Sequence, residues 1–455
     1  MHSDIGIIGL GVMGKSLAMN MLNHEFKVSG YNRSFSSVQE LIDKGYDQFY
    51  GFNDLVSFID SLKSPKIVML MVPAGEPVDQ MIEKILPMLS KGDIIMDGGN
   101  SFFRDSERRS VALSHEGIYF YAVGVSGGEK GALLGPSIMP SGDKAIYPIV
   151  GKILETIAAK KDGEACCRYI GKLGSGHYVK MVHNGIEYAD MQLIAESVLL
   201  LKAAGYDNDH ISDLIASWNQ GPIKSYLLDI TVNILKEKEG DHHLVDKILD
   251  VSSHKGTGKW TSLQALEQDV NVSLIQAAFM ARLMSNQASL RAAFSNDSLP
   301  KITIDPKLIH QAYKLGKLIA YAQGFALYQD ASDQYGYDLD LEAIATIFRA
   351  GCIIQSELLE ELRLVFKDEP HLENILLADR FKSWIIDNLE ALRTVGSVAV
   401  NSGIPTPIYL EAATYLNQSH AFSLGANIIQ AQRDYFGAHT FKRIDVEGSY
   451  HHEWE

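Results

Sequence analysis

Short apolar runs alternate with amphipathic segments along the first third of the chain. Runs at 5–8, 27–31, 67–72, 94–97 and 119–123 have strand length, and Gly, Asp and Asn turns separate them from helical patterns. That alternation predicts a parallel βαβ sheet. From about position 176 the period changes. Helical patterns cover 178–204, 211–218, 223–239, 274–283, 306–329 and 341–354, and good strand patterns are absent there. The expected fold class is an α/β domain over 1–176, then a large all-α domain over 177–432 and a short C-terminal tail over 433–455. The tail is polar and aromatic without clear periodicity. The segments GIEYADMQLIAESVLLLKAAGY and LIAYAQGFALYQDASDQYGY share a loose cadence, which fits an internal helical duplication.

The first strand runs into IGIIGLGVMG, which supplies Gly9, Gly11 and Gly14 in a G-x-G-x-x-G spacing ahead of a helical pattern. In that strand–turn–helix context the glycines read as a Rossmann-type dinucleotide site. They permit a tight turn and let a pyrophosphate approach backbone N–H groups at a helix N-terminus. The second strand ends in GYNRSFSS, with Asn32, Arg33 and Ser34 where an NAD site usually carries a carboxylate. No negative charge repels a 2′-phosphate there, and Arg33 can pair with one, so the preferred cofactor is NADP.

Two further glycine-rich stretches border the α/β domain. GVSGGEKGALLG contains Ser126, Gly127 and Gly128, small residues that admit a substrate carboxylate to backbone N–H groups and a hydroxyl. GKLGSGHYVKMVHN carries Gly171, Gly174 and Gly176 into the helix of Lys180 and Asn184, where they permit close packing on the cofactor domain. Along that helix Lys180, His183, Asn184, Glu187 and Tyr188 stand at i, i+3, i+4, i+7 and i+8, one stripe flanked by Met181, Val182 and Ile186. Spacing alone leaves two readings, a solvated face with i,i+3 and i,i+4 pairs, or an inward polar floor. Turned inward, Lys180 can lose its proton and act as a base. Glu187, about 10 Å further along the axis, is a candidate acid.

Downstream, Lys255 and Thr257 lie in the loop SSHKGTGKW, Arg282 in the mainly apolar AAFMARLMS, and Arg433 and His439 in QAQRDYFGAHTF. The Lys255–Thr257 loop suits a phosphate, the Arg282 charge needs a partner in its apolar helix, and Arg is a natural phosphate fork. Taken singly each also reads as structural or solvated, and their joint occurrence with a dinucleotide site gives them weight. His242–His243 and His451–His452 are adjacent pairs rather than i, i+4 pairs, so no metal is expected. The net charge of -15 argues against nucleic acid or an acidic membrane as partner, yet leaves room for a local basic pocket. Only three cysteines, two of them adjacent, predict a reducing, cytoplasmic setting. Neither a signal peptide nor a transmembrane helix is expected.

Together the motifs GLGVMG, YNRS, MLMVPAG, DGGNS, GVSGGEKGALLGPSIMP, GHYVKMVHNGIEYADMQLIAES, VDKILD, KGTGKWT and IQAQRDYFGAHT resemble the decarboxylating 6-phosphogluconate dehydrogenases over essentially the whole chain. The glycine motifs are shared with the wider β-hydroxyacid dehydrogenases. The helix and tail motifs are specific. The resemblance implies oxidation of 6-phosphogluconate by NADP to ribulose 5-phosphate and carbon dioxide. It implies Lys180 as general base and Glu187 as general acid. It assigns Ser126, Gly127, Gly128, His183 and Asn184 to the substrate carboxylate and hydroxyls. Asn100 falls near both nicotinamide and substrate, and Tyr188, Lys255, Thr257 and Arg282 fall at the phosphate. Val12, Met13 and Val72 join the cofactor contacts. Arg433 and His439 are implied to reach a partner subunit's site, hence a homodimer with shared active sites.

The chain departs from the family pattern in places. Ser37 stands where relatives often carry a second basic residue, which bears on strict NADP preference. LMSNQASLR after Arg282 lacks a charged run common in relatives, Gln355 replaces a frequent Arg, and VEGSYHHEW matches loosely. A non-decarboxylating β-hydroxyacid dehydrogenase acting on an unphosphorylated substrate is the alternative. It has no use for Arg282, Arg433 or the Glu187–Tyr188 pair. A cofactor-binding protein without turnover is a third reading, opposed by the presence of every reactive residue.

Overall fold

The computed structural model describes residues 2–253, 256–294 and 298–454. Its N-terminal sheet has seven strands: β1 (Ile5–Ile8), β2 (Val28–Tyr31), β3 (Phe49–Phe52), β4 (Ile67–Leu70), β5 (Ile94–Asp97), β6 (Tyr119–Val125) and β7 (Ile138–Ser141). They lie in the order β3-β2-β1-β4-β5-β6-β7. The first six pair in parallel, and β7 runs antiparallel to β6. β1, β4 and β5 are buried throughout, as parallel strands between helical layers must be. Strand order reverses between β1 and β4, the place where such sheets bind ligands beyond their strand ends.

The five expected strands are all present, and β3 and β7 are additional. β3 (FYGF) is a half-exposed edge with a glycine in it. β7 (IMPS) carries Pro140, which cannot donate to a ladder and suits an edge.

Beyond the sheet the described residues are mainly helical, with two-residue ladders such as Lys238–Glu239 with His242–His243. Two helices form its axis, Ser175–Ala203 and Pro306–Tyr335, and they pack on each other. Glycines bring them close. A β-carbon at Gly324 would collide with Ile186, and one at Gly316 would lie 2.7 Å from Leu193 Cδ2. Between them Lys317 Nζ meets Asp190 Oδ2 at 2.6 Å, with Tyr313 donating to Oδ1 at 2.9 Å, all fully buried. Either charge alone would be costly there, so the pair ties the helices in one register. Thr257–Glu267 and Ser273–Ser285 pack on the first long helix, and Asp379–Ser402 packs on the second. The 341–354 pattern is helical only over Leu341–Ile347, and the chain then turns through Gly351 at φ +72°.

The chain end is ordered as well. Helix Ala426–Gly437 runs across Arg433, and the strand-like bridge Phe441–Tyr450 folds the rest back. Asp434 is the hub. It accepts from the Thr440 and His452 amides and from Trp454 Nε1, and it pairs with His451. Burial opposes its ionisation, but these donors outweigh that and hold the carboxyl well below the usual range. Among the described residues, no helix is long and apolar enough to cross a membrane.

Candidate active site

The stripe of the long helix faces inward because its first turn lies directly on the sheet. A β-carbon at Gly176 would collide with the carbonyl oxygens of Met139 and Ala122, and one at Gly124 would sit 2.8 Å from both Gly176 O and Lys180 Cβ. These absent side chains let Lys180 reach the loop after β6. Further along, a β-carbon at Gly185 would lie 2.7 Å from Thr261 Cγ2, so Thr257–Glu267 closes the same helix from its other side.

Lys180 is 8% exposed. Its Nζ donates to Ser126 Oγ at 3.0 Å and lies 3.4 Å from His183 Nδ1. His183 Nε2 is 3.2 Å from Ser126 Oγ, and Nδ1 is 3.2 Å from Asn184 Oδ1 and 3.9 Å from Glu187 Oε2. An amide oxygen can only accept, so the ring proton sits on Nδ1 and Nε2 accepts from the Ser126 hydroxyl. Donation thus runs in one direction, from Lys180 through Ser126 and His183 to Asn184. Lys180 and Glu187 both approach the Nδ1 side of the imidazole.

Burial sets the charges. It lowers the Lys180 pKa, against a smaller pull from Glu187. Burial, with the nearby lysine charge, puts His183 well below its usual value, so the ring is neutral. Burial raises Glu187, opposed by Lys180 and Arg282. One face therefore holds a lysine biased toward the free amine and a carboxyl biased toward the acid, which is how a base and an acid coexist near neutral pH.

At the far end of the stripe, the Arg282 guanidinium lies 3.5 Å over the Tyr188 ring, and Gly258 approaches the ring's other atoms so closely that a β-carbon would sit 2.6 Å away. Thr257 opens the neighbouring helix, next to Gly256 at φ +97°. Lys255 lies outside the described residues. Gly127, at φ +104°, abuts Gly351 O, while nothing occupies the space beside Gly128. Gln355 Oε1 accepts from the Gly351 amide at 2.9 Å.

The dinucleotide loop has the required shape. Gly14 packs against Gly9 O, and Gly9, at φ +101°, packs against Met71 O. The space beside Gly11, at the N-terminus of helix Val12–Asn23, is open for a phosphate. Met13 is partly buried and Val12 exposed beside it. Asn32 Oδ1 accepts from Leu10 N at 3.0 Å, so that side chain also braces the loop. Arg33 is exposed and makes no ion pair among the described residues, and Ser34 bonds to Ser36. Val72 follows β4, and the exposed Asn100 follows β5, both beyond the strand ends on the site side.

Two sequence-derived candidates are not brought to this site within one chain. Arg433 bonds to Gln430 at 3.1 Å, and His439 packs on Phe436, contacts inside the tail. A groove of about 1370 Å³ starts at Arg282 and Met191 and runs past Leu263, Met280 and Leu410 on the outer side of the helical domain.

Spacing did not reveal Phe348, whose ring meets His183 edge-on at 5.1 Å, or Cys352, whose buried thiol bonds to Phe348 O at 3.2 Å within the field of the Lys180 charge. Both come from FRAGCIIQS, where the glycine-bearing break in an apolar run was the available signal.

Residues 4–171 match the family described as NAD binding domain of 6-phosphogluconate dehydrogenase, and residues 176–454 match the 6-phosphogluconate dehydrogenase C-terminal domain. The chain is 46% identical to 6-phosphogluconate dehydrogenase, decarboxylating, of Escherichia coli K12 over 99% of both sequences. It is 45% identical to the NADP(+)-dependent, decarboxylating enzyme of Bacillus subtilis over 99% of both. Among solved structures it superposes on Plasmodium falciparum 6-phosphogluconate dehydrogenase with TM-score 0.94 and 39% identity, covering 99% of this chain and 100% of that one.

Proposed function

The chain belongs to the 6-phosphogluconate dehydrogenase family, and on that premise we infer that it oxidises 6-phospho-D-gluconate with NADP to D-ribulose 5-phosphate, carbon dioxide and NADPH. The observation that carries this reading is the inward stripe, with a lysine biased toward its amine, a neutral histidine and a glutamate biased toward its acid on one buried helix face.

NADP, when bound, accepts the hydride from C3 of the substrate. Gly9, Gly11, Val12, Met13 and Gly14 would hold its pyrophosphate, and Asn32, Arg33 and Ser34 its 2′-phosphate end. Val72 and Asn100 would flank the nicotinamide end. Lys180 Nζ takes the proton of the 3-hydroxyl. The resulting ammonium then donates to the new carbonyl oxygen. That draws electrons away as the carboxyl carbon leaves as carbon dioxide, the ordinary fate of a β-keto acid. Glu187 delivers the proton to C1 of the enediol that remains. Ser126, Gly127, Gly128, His183 and Asn184 hold the carboxylate and hydroxyls. Tyr188, Lys255, Thr257 and Arg282 hold the phosphate, joined by Arg433 and His439 of the partner subunit.

The working division is a cofactor domain over 1–176, a substrate and dimerisation domain over 177–432 and a tail over 433–455. The assembly is a homodimer with shared sites. Supporting this are the exposed apolar residues Phe422, Ile428, Ile429 and Phe436 around the tail, and the apolar groove that ends at Arg282. Cytoplasmic residence suits three buried free cysteines.

The test compares kcat/KM for 6-phosphogluconate and for gluconate with NADP. A site with this many phosphate partners should favour the phosphorylated acid by roughly 10⁴-fold. Comparable rates would favour the unphosphorylated β-hydroxyacid reading instead.

A further inference from the structure

A buried polar network that the reaction scheme leaves unused joins the cofactor-side loop to the site helix. Asp97 ends β5 and is fully buried. Its Oδ1 accepts from Gly99 N at 3.0 Å and its Oδ2 from the Ser101 hydroxyl at 2.6 Å, so this carboxylate folds the loop that carries Asn100. Arg109, 2% exposed, approaches Asp97 Oδ2 at 3.4 Å. It also grips Asp79 through Nε and Nη2 at 2.8 and 2.9 Å and donates to Gly75 O at 2.9 Å. Arg109 therefore pins the loops after β4 and β5 to each other.

On the other side stands His177, 2% exposed, in the first turn of the site helix. Its Nε2 lies 3.0 Å from the backbone oxygen of Asp97, and its Nδ1 lies 2.7 Å from Ser106 Oγ. A carbonyl only accepts, so Nε2 carries the proton, and the Ser106 hydroxyl donates to Nδ1. Burial lowers the His177 pKa and keeps the ring neutral, in keeping with this single arrangement. His177 and Lys180 are three residues apart, neighbours along one helix face. An apolar side chain would bury this turn equally well, but it would not fix the turn's rotation. A hydrogen bond to one carbonyl does, because it is directional.

We propose that His177 is a positioning residue for the dehydrogenase reaction, setting Lys180 relative to the Asn100 loop through the Asp97 carbonyl, with Arg109 and Ser106 holding the two ends of that link. The proposal rests on the reading of Lys180 as the base. Base and cofactor-side loop then share one reference atom. Without the link the helix start can turn, and the lysine gains water.

The experiment measures kcat, both KM values and the pH profile of kcat for His177→Leu, His177→Gln and Lys180→Met in the full-length enzyme. Gln retains an N–H near the Nε2 position and Leu does not. His177→Leu is expected to lose roughly ten- to a hundredfold in kcat with the NADP KM little changed. The limb of its pH profile set by Lys180 should move to higher pH, because a more hydrated Lys180 holds its proton longer. The groups facing Lys180, namely Ser126, His183, Glu187 and Cys352, stay in place. His177→Gln should recover most of the rate and the wild-type limb. An unmoved limb in His177→Leu, or a Gln variant no better than Leu, overturns the proposal. If His177→Leu does not fold, Ser106→Ala is read by the same profile, and an unmoved limb there overturns the proposal. A Lys180→Met enzyme at wild-type rate would instead overturn the base reading itself.

Discussion

Lys180 and Glu187 are displaced in opposite directions by one cause. Burial disfavours whichever form is charged, so it pushes the ammonium toward the amine and the carboxylate toward the acid. Activity needs Lys180 without its proton and Glu187 with one, so it should fall on both sides of an optimum, giving a bell. Glu187→Gln keeps the shape but removes the transferable proton. Turnover should drop roughly 10²- to 10⁴-fold and the limb set by Glu187 should vanish; a pH–rate profile that matches wild type would exclude Glu187 as the acid. The stripe itself was legible, because helical spacing alone gathers 180, 183, 184, 187 and 188. Its direction was not. That is decided by Gly124 and Gly176, which meet across the domain boundary and announce nothing to each other in sequence. Phe348 and Cys352 were missed for the same reason, since they lie more than 160 residues from Lys180 and His183 along the chain.

Elements hold the site through close approaches rather than through long contacts. The first turn of Ser175–Ala203 sits on β6 and β7 only because Gly176 has no side chain. Gly176→Ala should force the helix off two carbonyls, lowering stability by about 1–3 kcal/mol and kcat by roughly tenfold or more. Urea titration and steady-state rates check this, and a variant with wild-type values in both would show that the approach does not matter. Apolar period found the five buried strands but not β3 or β7, where an interior glycine and Pro140 break the pattern at sheet edges. Asp379–Ser402 was also passed over, although Phe381, Ile385, Asn388, Leu392, Val395 and Ala399 bury one face at helical spacing. Its many charged positions hide that narrow stripe from a reading based on apolar density.

At the scale of the molecule, the tail is a folded unit built on Asp434, with apolar residues turned outward and Arg433 away from its own chain's Lys180 stripe. The proposed sharing of sites between subunits has a sharp complementation test. Lys180→Met and Arg433→Ala chains should each be impaired as pure dimers. Mixed after unfolding and refolding, about half the dimers would be hybrids with one fully native site of two, restoring about a quarter of wild-type activity. No recovery would place Arg433 in the service of its own subunit or of none. One helix face is proposed to join an oxidation to a decarboxylation, and the stoichiometry of products tests that join most directly. With 6-phosphogluconate and NADP supplied, carbon dioxide and NADPH should appear in equal amounts and at the same rate. NADPH without carbon dioxide, or no NADPH at saturating cofactor, would contradict it.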